Sequence, residues 1–192
     1  MLSIRSRLGR LLRREDVLPI ARRYFVSNGF DGTLTCIGIV VGATLSGVAD
    51  GVTVIKIGLG AAVGLGTSAV WSVWEIERAE TKAEIRRMER AMLVDLDDTR
   101  IQRDRAAARL LHATASGLGP LVGILLPMVP FLFAGPLSLG LATVASVGLG
   151  VALLFVFGAY LGSISGLRWY VAGVRMGLAG LVVAGINLIL PG

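Results

Sequence analysis

Residues 28–43, NGFDGTLTCIGIVVGA, place a carboxylate, Asp31, inside a run otherwise apolar enough to enter a bilayer. An ionisable group on a spanning helix costs roughly 3 kcal/mol on insertion scales, so such a residue marks an ion pathway, a proton relay or a paired site. The stretch therefore reads as a membrane helix, and function is sought first around Asp31.

Working outward, uncharged stretches fall at 32–49, 57–74, 113–167 and 176–192, each near or above the roughly 17–25 residues that cross a bilayer. The third is long enough for two crossings. Within it, PMVPFLFAGPLSLG sets Pro130, Gly135 and Pro136 in a short apolar connector, because proline stops helices and a proline–glycine cluster turns the chain. Five spanning helices are expected, at about 19–48, 53–74, 113–133, 138–161 and 169–190. A mean hydropathy of +0.75 with only 17% charged residues separates the chain from soluble domains. The expected architecture is an all-α integral membrane protein with five transmembrane helices and a charged cytoplasmic helical hairpin between the second and third. Its parts are an N-terminal arm (1–18), helices 1 and 2 (19–74), the hairpin (75–112) and helices 3 to 5 (113–192).

Loops rich in Lys and Arg stay on the cytoplasmic side. Seven arginines precede the first crossing, nine basic residues lie from Arg78 to Arg109, and Arg168 precedes the fifth helix, which makes seventeen of nineteen on one side. The N-terminus is expected in the cytoplasm and the C-terminus outside, in the plasma membrane if the source is a prokaryote. The arm lacks the short apolar core and cleavage site of a secretory signal. It reads either as a basic interfacial helix, with Leu8, Leu11 and Leu12 on one side against anionic lipid headgroups, or as a disordered basic arm. No aromatic-interleaved basic patch points to nucleic acid.

One cysteine and one histidine exclude an internal disulfide and a Cys/His zinc site, and Cys36 reads as a small core residue. The chain has no GxSxG elbow, Walker loop or HExxH helix, so it is not expected to be an enzyme or an ATP-driven pump. Any transport is driven by an ion or proton gradient. Small residues recur every four positions at Gly38, Gly42 and Ser46 in helix 1 and at Gly60, Gly64 and Ser68 in helix 2, and helix 5 has Gly173 and Gly177. Such faces are where membrane helices touch. Asp31 and Thr35 extend the helix 1 face, so the carboxylate is expected in a helix–helix contact, within one chain or across the axis of a homodimer.

NGFDGTLTCIGIVVG in helix 1, GILLPMVPFL at Gly123 to Leu132, and FGAYLGSISGLRWYVAGVRMGLAGLVVAG across helices 4 and 5 together resemble the vacuolar iron transporter family. The resemblance implies a five-helix dimer that exports Fe²⁺ or Mn²⁺ from the cytosol in exchange for protons, with Asp31 at the family's helix 1 aspartate. It also matches Glu75 to a glutamate at the cytoplasmic end of helix 2. No resident cofactor is expected; the divalent cation is cargo. Both ions accept carboxylate, carbonyl and water ligands, so Asp31 would replace part of the hydration shell, with Asn28 and Thr35 as auxiliary oxygen ligands. Two Asp31 carboxylates near a dimer axis would repel, so metal and proton would compete for one site. Gly29 and Gly32 flank Asp31 and are expected to let the helix loosen toward an ion.

The sequence departs from the family in helix 2, where GTSAVWSVWEIE (66–77) puts Ala69, Val70 and Trp71 where a methionine is expected. Losing a thioether tilts the choice toward harder Mn²⁺ or Mg²⁺, or toward a protein that no longer moves iron. In the charged segment, LDDTR (96–100) reads as a turn, and Glu77, Glu80, Glu84 and Met88 form a stripe at helical spacing. By resemblance to relatives with a cytoplasmic metal-binding domain, the stripe is a candidate ion antechamber; alternating charges favour a solvated, dimer-contacting face. The alternative function is a non-transporting membrane scaffold that binds lipids or partners through the arm and the charged segment.

Overall fold

The computed structural model describes residues 17–48, 50–93, 100–133 and 138–189, and all regular structure among them is helical. The helices are α1 (Val17–Leu45), α2 (Gly51–Met92), α3 (Arg100–Met128), α4 (Leu139–Ile164) and α5 (Trp169–Ile189), with a 3₁₀ turn at Val129–Phe133 after α3. Five helices are long and apolar enough to cross a membrane. The expected arm lies almost wholly outside the described residues, as do the body of the LDDTR turn and the connector positions Gly135 and Pro136.

Local chemistry sets the boundaries that hydropathy left loose. α1 ends at Leu45 rather than residue 48 because Gly47 turns left-handed (φ +75°). The Val48 amide then reaches the Ala43 carbonyl at 3.0 Å and the Gly47 amide reaches Thr44 at 3.3 Å, the paired bonds of a Schellman motif. Asp50 starts α2: its carboxylate accepts from the amides of Val52 (3.1 Å) and Thr53 (3.2 Å). The α4–α5 turn repeats the first device, with Gly166 at φ +69° and the Leu167 amide on the Gly162 carbonyl at 3.1 Å.

α2 runs unbroken for 42 residues. At 1.5 Å per residue it is roughly 60 Å long, about twice the hydrocarbon thickness, so its charged second half projects beyond the bilayer. Alongside it, Arg105 of α3 meets Glu84 at 2.6 Å.

α3 is the most enclosed helix, packed chiefly against α1 and α2, while α4 and α5 pair with each other and expose most of their surface. The core lies between α1, α2 and α3, where Cys36, Val40, Val54, Ile124 and Met128 are buried together, and continues toward α4 through Ile37, Val41 and Leu154. In lipid such packing, rather than withdrawal from water, holds helices together.

The small residues at these contacts are largely not those the four-residue spacing suggested. Around a Cβ placed on Gly42, Gly60 or Gly64 nothing lies within 4 Å, and Gly38 meets only the Asn187 side chain. The close approach is instead at Gly29 and Gly32 of α1 against Gly119, Pro120 and Gly123 of α3; a Cβ on Gly32 would stand 2.7 Å from Pro120 Cα. Gly29 and Gly32 therefore act as packing points, and α1 is continuous through them. The helix 5 expectation holds, with Gly173 against Phe155 and Gly177 against Val151.

Candidate metal-ion site and its surroundings

Asp31 stands at the midpoint of α1. Because Gly29, Gly32, Thr33, Cys36 and Ile37 turn inward to α3 and α4, Asp31 is left on the outer face and is exposed on the single chain. The expectation of a helix–helix contact around it is thus not met within one chain. Thr35, half-buried one turn on, donates its hydroxyl to the Asp31 carbonyl at 2.8 Å, so its oxygen lies on the same face. Asn28 points elsewhere: its amide donates to the Tyr24 carbonyl and to Ser116 Oγ on α3, both at 2.9 Å.

Asn28 belongs to a polar network that joins α1, α2 and α3. Ser116 is fully buried and passes the chain of bonds on to the Ala69 carbonyl of α2 at 3.0 Å. Pro120, one turn later in α3, has no N–H, which leaves the Ser116 carbonyl without its helical donor. Further along the same helices, Glu77 Oε1 lies 3.0 Å from His112 Nδ1 and accepts from the Tyr24 hydroxyl at 3.3 Å. His112 Nε2 is 3.1 Å from the Val17 carbonyl, which can only accept, so this nitrogen carries a proton. The Nδ1 contact lies off the ring N–H axis, so it is close without being a well-aligned hydrogen bond, and it is an ion pair when the ring is protonated. Arg109 lies over the Trp74 ring at 4.4 Å, with its Nε buried and without a hydrogen-bond partner.

The remaining acidic candidates disperse. Glu75 pairs with Arg78 at 3.6 Å and Glu84 with Arg105, while Glu80 is exposed. Glu77 and Glu84 face α3, where they meet His112 and Arg105, and Met88 is half-buried, but Glu80 is exposed, so the stripe splits. Among the described residues no group of three His, Cys, Asp or Glu side chains is placed to hold a metal ion. At the position where the family's methionine is expected, Ala69 is buried and Trp71 is 70% exposed, facing outward.

His112, Tyr24 and Ser116 were not among the sequence candidates. The available signal was the lone histidine three residues past Arg109, level with the point where α2 acquires its first glutamates.

This arrangement defines a polytopic α-helical membrane protein with one carboxylate exposed at the midpoint of its first spanning helix and a polar network tying three helices together at one end. The chain belongs to the VIT family, whose model matches residues 71–190. The match covers α3 to α5 and the second half of α2; Asp31 precedes it. An uncharacterized protein of the archaeon Methanocaldococcus jannaschii is 29% identical over 165 residues, covering 84% of each chain. Membership suggests a membrane metal-ion transporter.

Proposed function

We propose that the chain transports divalent metal ions, Fe²⁺ or Mn²⁺, out of the cytosol in exchange for protons, through a path lined by α1 of two copies. The observation that carries this reading is Asp31, a carboxylate at the midpoint of a spanning helix and open on the single chain. A charge facing lipid there is costly, which favours a polar cover over that face. A second copy would bring two Asp31 carboxylates and two Thr35 hydroxyls together and supply the ligands that one chain lacks. Two facing carboxylates repel unless a cation or a proton lies between them, so each cargo displaces the other. The absence of a thioether in the membrane half of α2 favours the harder Mn²⁺.

The test is flux into proteoliposomes. Purified protein is expected to move Mn²⁺ or Fe²⁺ with counter-movement of protons, and Asp31→Asn, which keeps size and removes charge, is expected to abolish it. No uptake above empty liposomes for any divalent ion would remove the proposal.

A further inference from the structure

We propose that the groove between the end of α4 and the start of α5 binds the phosphate headgroup of an anionic membrane lipid. After Arg109 the chain carries two formally charged side chains, Arg168 and Arg175, both basic, and its last carboxylate is Asp104. Arg168 immediately precedes α5, and Arg175 lies two turns inside it, on the same face at seven-residue spacing. Both line a groove of about 380 Å³ whose walls are Gly158, Gly162, Ala172 and Met176.

Depth determines what those arginines need. Trp169 and Tyr170 are exposed at the first turn of α5, and such aromatic residues sit at the membrane–water interface. Arg168 is then at headgroup level and Arg175 about 10 Å deeper, where a guanidinium must turn back toward the interface and find an anion. Among the described residues neither arginine has a carboxylate partner, and the nearby Ser165 hydroxyl is already turned to the Leu161 and Gly162 carbonyls. Arg22 adds a third positive charge at this end, over the Tyr160 ring at 5.9 Å. A planar guanidinium fork suits a phosphate, and the apolar floor formed by Gly158, Gly162 and Met176 suits an acyl chain, which is why the occupant is a lipid rather than free phosphate.

The experiment uses the full chain in detergent. Binding of phosphatidylglycerol is measured by native mass spectrometry and by thermal shift, against phosphatidylcholine of the same acyl chains and against inorganic phosphate alone. Phosphatidylglycerol is expected to bind and raise the melting temperature, with phosphatidylcholine and inorganic phosphate without effect. R168Q/R175Q is expected to lose about thirtyfold in phosphatidylglycerol affinity, each interfacial arginine contributing about fivefold. R168K/R175K, which keeps both charges but loses the guanidinium forks, is expected to fall between the native chain and R168Q/R175Q. Should the double variant fail to fold, Arg168→Gln alone, at an exposed position, is expected to lose about fivefold. Equal binding of the two lipids, unchanged affinity in R168Q/R175Q, or displacement of phosphatidylglycerol by equimolar inorganic phosphate would each overturn the assignment. So would a change of oligomeric mass in R168Q/R175Q without bound lipid, which would make Arg175 a contact between copies.

Discussion

Glu77 on α2 and His112 on α3 meet at 3.0 Å, in contact with α1 on both sides: Tyr24 bonds to the carboxylate and the Val17 carbonyl to the imidazole. Tyr24 lies seven residues before Asp31, two turns along the same helix. The rotation of α1, and with it the direction in which Asp31 faces, is held at this junction.

Removing the imidazole should therefore destabilise the bundle. The His112 side chain is 4% exposed and that of Glu77 17%. His112→Ala removes the imidazole's bond to the Val17 carbonyl, opens a buried space between the helices and leaves Glu77 with only the tyrosine hydroxyl, an expected loss of about 1–3 kcal/mol. Glu77→Gln should cost less, since an amide oxygen still accepts from Tyr24. Combining His112→Ala with Glu77→Ala should show a coupling above about 0.5 kcal/mol in detergent unfolding, and simple additivity would deny that the two act together.

The α1–α3 contact has no room for a side chain at Gly32, where a Cβ would press on the Pro120 backbone, itself unable to move as a flexible side chain can. Gly32→Ala is expected to cost about 1–3 kcal/mol through overpacking, whereas Gly64→Ala, with open space around it, should leave single-chain stability unchanged or slightly raised. Thermal melts of the two variants side by side check this, and equal losses would refute it.

The five spans were legible because uninterrupted apolar length is a property of the chain itself, and the cap residues around Gly47 and Asp50 were present to refine their ends. The contact faces were not. α1 carries glycines at 29, 32, 38 and 42, on more than one face, and which face closes depends on the complementary small residues Gly119 and Gly123 of a helix nearly ninety positions away. Asp31 was found because a charge in an apolar run is a local anomaly. His112 and Ser116 were missed because their partners are set by the packing of three helices, which leaves no periodic trace in any one segment.

Asp50 gives a pH dependence with a definite sign. Hydrogen bonds from the Val52 amide first, and then from the Thr53 hydroxyl, hold its carboxyl below the usual carboxylate range. A carboxyl depressed in the folded state contributes its stability at every pH above its unfolded value and loses it as pH falls through the folded value. The start of α2 should accordingly loosen only in acid below the ordinary carboxylate range of about 4. Amide exchange at Val52 and Thr53 is expected to accelerate there in the native chain. In Asp50→Asn, which caps without titrating, the rates should lack this acid-specific step.

The open face of α1 makes the last prediction, and it bears on whether two copies share the carboxylate. Thr35 lies on that face, while Cys36, the single native cysteine, is buried at 0% exposure with its sulfur 3.5 Å from the Ile124 carbonyl. A thiol so enclosed cannot reach another chain, so an oxidant should leave the native protein uncrosslinked. Thr35→Cys, in contrast, puts a thiol beside Asp31 on the outer surface. If α1 faces α1, mild oxidation in the membrane should convert this variant to a species of twice the 20.1 kDa chain mass, and a cysteine at Val174, exposed on α5, should not crosslink in this way. Crosslinking at Val174 with none at Thr35 would move the dimer contact to α5 and leave Asp31 facing lipid alone, a placement that the cost of an unpaired carboxylate in hydrocarbon argues against.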